Sequence, residues 1–150
     1  VLPPKPLPKN AFISVKSPRY RADTLIRTLR REKPDSVDYV LGLTLKDIST
    51  TKRNKGEIKE PMYKYIDWGI MGLGFRPGVS CVLSTFRIKD KNTIERLTKI
   101  TMHELGHNLG LKHCTFSDRC VMRDAAETVK TLEKVDLKLC SNCRMSIKHN

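Results

Sequence analysis

The chain has 150 residues, 17.2 kDa, with 39% hydrophobic and 30% charged residues, which is one ordinary globular domain able to bury a core and hold a cleft. Its apolar runs fall far short of the ~20 residues that a membrane span requires. Lys and Arg total 29 against 16 Asp and Glu, and the resulting +13 points to nucleic acid, an acidic surface or an acidic substrate as partner.

Residues 1–10 carry Pro3, Pro4, Pro6 and Pro8 and read as an extended arm on a single domain spanning 1–150. No leader pattern stands at the start, but the chain opens on Val1 and not on Met, which leaves room for a trimmed leader upstream. Residues 11–15 predict a short strand, broken by Ser17-Pro18. Residues 21–32 predict a helix with Ala22, Ile26 and Leu29 on one face and a basic outer face, ended by Lys33-Pro34-Asp35. Val37, Tyr39, Leu41, Leu43 and Leu45 alternate with period two, the pattern of a strand. Residues 49–60 read as a polar, Lys-rich loop. The basic residues of 1–34 and 51–64 form a solvated face, with too few aromatics among them for a single-stranded nucleic-acid platform.

A third strand is predicted over 65–73, punctuated by Gly69 and Gly72, and a fourth over 79–88 after the Pro77-Gly78 turn. A long helix starts at Asn92 or Thr93, with Glu95 placed for a capping interaction, and runs to Leu109, where Gly110 stops it. Residues 125–139 predict a final helix whose buried stripe is Val129, Leu132, Val135 and Leu139. One helix among four strands, then helices, implies an α+β or α/β domain, a mixed sheet with helices packed on it.

Three of the four histidines fall in one eleven-residue run, HELGHNLGLKH from His103 to His113. His103 and His107 are four apart, so both aim a ring nitrogen from one helix face at one metal ion. Leu105 and Leu109 fall on the other side of the helix, where they can be buried while the histidines face a cleft. Gly110 permits a left-handed turn, after which His113 returns as a third ligand. Three protein ligands leave the fourth position open, as catalytic zinc sites do, and Glu104 can reach that position without being a ligand. His149 reads as a surface residue near the chain end.

The cysteines are Cys81, Cys114, Cys120, Cys140 and Cys143, an odd number with four crowded near the end, which reads as a metal site and one spare thiol. Two close pairs can close an all-thiolate tetrahedron. Two disulfides, or free thiols, are the alternatives.

The run HExxHxxGxxH is followed by Cys114, then Cys120-Val121-Met122 and, after seventeen residues, Cys140-Ser141-Asn142-Cys143. This resembles the extended motif of the archaemetzincin family of metzincin zinc peptidases. One departure shows: the family spacing has four residues between the first two cysteines, and here residues 115–119 make five. The resemblance implies a metzincin-like (zincin) domain with a twisted mixed sheet, an antiparallel edge strand, an active-site helix and a C-terminal helix. It implies two zinc ions, a catalytic one on His103, His107 and His113 and a structural one on Cys114, Cys120, Cys140 and Cys143. Met122 is similar to the Met-turn methionine beneath the histidines. Substrate is expected to add as a strand at the cleft rim, for which 79–88 is the expected strand.

The expected function is peptide-bond hydrolysis by zinc-activated water, with Glu104 taking the proton and passing it to the leaving amine. No tyrosine follows Met122, so no tyrosine donor is expected from that side. The competing readings are a metzincin scaffold with little peptidase activity, and a basic module that binds nucleic acid or an acidic surface and carries zinc for stability. The partner is expected to be a peptide or protein substrate and the chain a monomer. Free thiols and a four-cysteine site favour a reducing cytoplasm, with export after loss of a leader as the alternative.

Overall fold

The structure, a computed structural model, describes residues 1–124 and 128–147. Its elements in chain order are β1 (Phe12–Ser14), β2 (Pro18–Arg21), α1 (Ala22–Arg31), β3 (Val40–Thr44), β4 (Ile48–Thr50), β5 (Arg53–Asn54), β6 (Glu57–Ile58), α2 (Met62–Tyr65), β7 (Trp68–Ile70), β8 (Gly72–Gly74), β9 (Ser80–Ser84), α3 (Thr93–Asn108), α4 (Val129–Lys134) and α5 (Ser141–Ser146).

The predicted mixed sheet is present in two parts. One has the order β1-β2-β4-β7 and the other β3-β9-β8. β2 and β4 run parallel, as do β3 and β9, while β1, β7 and β8 pair antiparallel. The stretch 68–74 passes from one part to the other at Met71, whose carbonyl accepts from the Ser84 amide at 2.8 Å. β8 is therefore an antiparallel edge strand, and β9 is internal.

α1 forms because Ala22, Leu25 and Ile26 repeat at helical spacing, and it buries that stripe against Ile48, Ile70 and Val82. Leu25 and Ile26 each contribute roughly 1.5–3 kcal/mol on burial. A Cβ at Gly42 would meet Leu29 Cδ1 at 2.7 Å, so the helix lies directly on β3 there. On the opposite face α3 and α4 bury Ile100, Leu132 and Val135 against Met71, Leu83 and Ile88. Asp47, almost wholly buried, accepts from Arg19 Nε and Arg87 Nε at 2.8 Å each and so ties β2 to the segment after β9.

Several predicted elements differ in the structure. Ser17-Pro18 does not end the first strand for good. It turns the chain into β2, where Pro18 sits at the end of the ladder opposite Ser14. The loop predicted over 49–60 holds the end of β4 and the β5–β6 hairpin, which turns through Lys55 (φ 49°) and Gly56 (φ 90°). The third strand is interrupted by α2 at its start and by Met71 within. Glu95 does not cap α3: it pairs with Lys99 at 2.7 Å, and Asp90 accepts from the Asn92 amide ahead of the helix. The final helix is short. Residues 125–127 of that prediction lie outside the described residues, α4 ends at Lys134 and Val135 is already extended. Leu132 and Val135 are buried as expected. The Pro-rich arm lies against the domain, with Leu7 packed on the α1 core and Lys5 paired to Glu32 at 2.9 Å.

β3 is a strand, as its alternation predicts, but the alternating residues Tyr39, Leu41, Leu43 and Leu45 are exposed and Val40 and Thr44 are buried. α1 covers one face of β3, whereas α3 packs over β8 and β9 on the other.

Candidate metal centre

α3 carries His103 and His107 one turn apart, and its end is fixed by the turn at Gly110. The Gly110 amide bonds to the His107 carbonyl and the Leu111 amide to the Gly106 carbonyl, both at 2.9 Å, with Gly110 at φ 90°. This is a Schellman closure, and it is the reason a glycine stands there. The chain then doubles back and delivers His113 beside the helix.

The three Nε2 atoms converge, His107 to His103 at 3.1 Å and His107 to His113 at 3.2 Å. His103 Nδ1 lies 2.8 Å from the Val121 carbonyl and His107 Nδ1 2.8 Å from the Leu111 carbonyl. A carbonyl only accepts, so each Nδ1 carries the proton and each Nε2 presents a lone pair. Burial lowers the pKa of His103 to about 4, which keeps it neutral. Burial also lowers that of His107; the Leu111 carbonyl opposes this, and the charges of His113 and Arg76 add to it. Lone pairs this close repel unless a cation sits among them, and ligands of a tetrahedral zinc stand about 3.3 Å apart. The residues present fit a zinc ion. Asp124 Oδ2 stands 3.9 Å from His113 Nδ1 on the open side.

Glu104 is buried beneath the same cleft, which has a volume of about 540 Å³. Its Oε1 would touch a Cβ at Gly72 at 2.9 Å, and its backbone carbonyl would meet a Cβ at Gly74 at 2.6 Å. β8 approaches α3 this closely only because both positions are glycine. Burial pushes the Glu104 carboxyl up to about 8, opposed by a hydrogen bond from the Gly74 amide. Cys81 is the spare thiol. It is wholly buried, pushed up to about 12 by burial and by the nearby Glu104, and so is an inert wall of the core.

Cys114, Cys120, Cys140 and Cys143 also converge, all four sulfurs within 4.8 Å of one another. The Cys114–Cys140 and Cys120–Cys143 sulfurs are 3.7 Å apart and form no disulfide. Thiolates about 2.3 Å from a tetrahedral zinc stand ~3.8 Å apart, so this cluster fits a closed site. The additional residue of 115–119 is taken up in the loop and does not prevent convergence. Met122 is wholly buried, and a Cβ on Gly106 would overlap its Sδ, so the thioether lies under the helix turn between His103 and His107.

All the sequence-predicted site residues are thus gathered into two neighbouring clusters. His149 lies outside the described residues. Of the two leucines on the other side of the helix, Leu105 is half-buried and Leu109 is exposed. The cleft rim is not residues 79–88: β9 is paired on both sides, and the strand that lines the cleft with an open edge is β8. Sequence reasoning did not find Trp68, Arg76 and Asp124, which line the cleft but sit in no motif. The Gly72-Leu73-Gly74 spacing is the signal that could have revealed β8. Part of the basic run 51–64, Lys52, Arg53 and Lys59, also lines the cleft, where the sequence suggested a solvated face.

No described helix is long and apolar enough to cross a membrane. Residues 2–149 match the sequence model of peptidase family M54. The chain is 28% identical to the archaemetzincin of Halobacterium salinarum, over 94% of this chain and 78% of that protein. Among solved structures it is similar to the archaemetzincin of Methanopyrus kandleri, with a TM-score of 0.76, 28% identity, and coverage of 94% of this chain and 70% of that one. It is similar also to that of Archaeoglobus fulgidus, with a TM-score of 0.71, 26% identity, and coverage of 96% and 78%. The chain belongs to peptidase family M54, the archaemetzincins, and is a zinc metallopeptidase acting on peptide substrates.

Proposed function

We propose that His103, His107 and His113 hold the catalytic zinc, that Cys114, Cys120, Cys140 and Cys143 hold a second, structural zinc, and that Glu104 is the general base and acid of peptide hydrolysis. The observation that carries this reading is the convergence of three Nε2 atoms, two of them held as lone pairs by backbone carbonyls on the other ring nitrogen, beside a buried carboxyl. Zinc at that position supplies Lewis-acid polarisation of the scissile carbonyl and activates water near neutral pH.

The rest falls to the chain. The open edge of β8 receives the substrate as an added strand, so backbone hydrogen bonds hold it whatever its side chains. Glu104 takes the proton of the attacking water and returns it to the leaving amine. The Gly74 amide holds the carboxylate in place. Met122 supports the helix turn from below, and the cysteine cluster ties the segments around Cys114, Cys120 and α5 to it. Residues 1–150 act as one domain, in which residues 114–143 are the part secured by the cysteine site.

The test is Glu104→Ala in zinc-loaded protein. Zinc content by elemental analysis should be unchanged, and cleavage of a peptide library should disappear. Full turnover in the variant would overturn the mechanism.

A further inference from the structure

We propose that the cleft selects peptides with acidic side chains near the scissile bond, Arg76 reading one end of the substrate and Arg53 and Lys59 the other. The proposal rests on the peptidase reading above and adds the substrate class. The stretch from Trp68 through β7 and β8 to Arg76 forms one wall of the cleft. At its start Lys52 lies over the Trp68 ring at 4.6 Å, and Arg53 and Lys59 of the β5–β6 hairpin line the cleft with it. At its far end, two residues beyond Gly74, the exposed Arg76 lines the cleft beside His107. Glu104 lies between these ends, against Gly72 and Gly74.

A substrate laid along β8 therefore runs from one cationic end to the other. Among the described lining residues other than Lys52, on which Asp124 acts, the cations are Arg53, Lys59 and Arg76, and the carboxylates are Asp124 and Glu104. Glu104 is taken by the chemistry and Asp124 stands against His113. Arg53 spends one donor on the Gly56 carbonyl at 2.9 Å, which holds it in the hairpin, and Lys59 lies over the Tyr65 ring at 4.9 Å. A concave site with an excess of one sign of charge concentrates its field, drawing in acidic peptides and repelling basic ones.

The test uses three quenched-fluorescence octapeptides that differ only in the second and third residues on each side of the scissile bond, which are Glu, Gln or Lys. They are given to the zinc-loaded full chain. The expected order of kcat/KM is Glu, then Gln, then Lys, with Glu over Lys by roughly tenfold or more. Arg76→Glu should lower that ratio by roughly tenfold. Arg31→Glu makes the same charge change on the outer face of α1, where Arg31 is 75% exposed, and should leave the ratio as it was. A ratio indifferent to Arg76→Glu, or one that falls equally with Arg31→Glu, would overturn the proposal in favour of net charge alone. If none of the peptides is cleaved, the peptidase mechanism fails on its own account. The selectivity is then decided by fluorescence anisotropy of the same peptides on Glu104→Gln protein: a roughly tenfold preference for the Glu peptide that Arg76→Glu removes supports it, and equal affinities refute it.

Discussion

Gly106 and Met122 give the sharpest test of how the histidine turn is supported. A Cβ at Gly106 would overlap Met122 Sδ and stand 3.0 Å from its Cε, and Met122 is wholly buried, so the thioether must shift within the core to admit it. Two effects compete in Gly106→Ala. Replacing glycine by alanine inside a helix gains about 0.8–1.0 kcal/mol. Overpacking a filled site costs about 1–3 kcal/mol. The overlap decides the sign, and Gly106→Ala should destabilise by up to about 2 kcal/mol. Met122→Ala alone should cost about 2–5 kcal/mol. In the Met122→Ala background the overlap is gone, and Gly106→Ala should then stabilise by about 1 kcal/mol. The assay is urea unfolding followed by circular dichroism, with zinc in excess throughout so that metal binding contributes equally. The double-mutant cycle should return a coupling of about 1–3 kcal/mol. A Gly106→Ala protein that is more stable than the parent by the full helix-propensity gain would refute the placement of Met122 beneath the histidines.

Two further outcomes follow from the same contacts. Gly74→Ala places a Cβ 2.6 Å from the Glu104 carbonyl, a backbone atom that cannot yield, so β8 must move off α3. A loss of about 1–3 kcal/mol is expected, with a fall in kcat/KM as the Gly74 amide leaves the carboxylate. Gly74→Ala protein with unchanged stability and turnover would show that β8 does not sit against the helix. The second outcome concerns pH in zinc-free protein. The folded-state pKa of Glu104 is raised from 4.5 to about 8, so the folded chain holds a proton that the unfolded chain releases. Its contribution is fully present below about 4.5 and is lost as pH rises through 8, roughly 4–5 kcal/mol at 1.36 kcal/mol per unit. His103 acts with the opposite slope, since its folded pKa is depressed from 6.5 to about 4 and its contribution is lost as pH falls through that range. Comparison with Glu104→Gln isolates the carboxyl: the variant should gain on the parent between pH 5 and 8 in thermal unfolding. Parallel pH profiles would contradict the burial of Glu104.

The site was legible in the sequence to a degree the fold was not. His103, His107 and His113 are fixed by helix periodicity and by a glycine that must turn left-handed, both local properties, and the structure brings the three together. The same holds for the cysteines, because a four-thiolate cluster tolerates one more residue between Cys114 and Cys120. What remained hidden depends on partners distant in sequence. Alternation from Val37 to Leu45 identifies a strand but cannot say which face is covered, and here the apolar face is the exposed one. Residues 79–88 have the composition of a cleft strand, but its pairing with β3 and β8 makes it internal. The close approach of Gly72 and Gly74 to α3 is a tertiary fact, and no local propensity reports it. α4 ends early because the chain must reach Cys140, whose amide donates to Cys120 Sγ at 3.4 Å; that requirement outweighs the helical spacing of Val135 and Leu139.

The most direct test of the account is zinc counted per chain by elemental analysis on reduced protein, for the parent, His107→Ala and Cys143→Ser. Two zinc ions are predicted for the parent. One is predicted for each variant, with peptide cleavage lost in His107→Ala. A parent that folds with no zinc, or a count that neither substitution lowers, would contradict the assignment of both clusters.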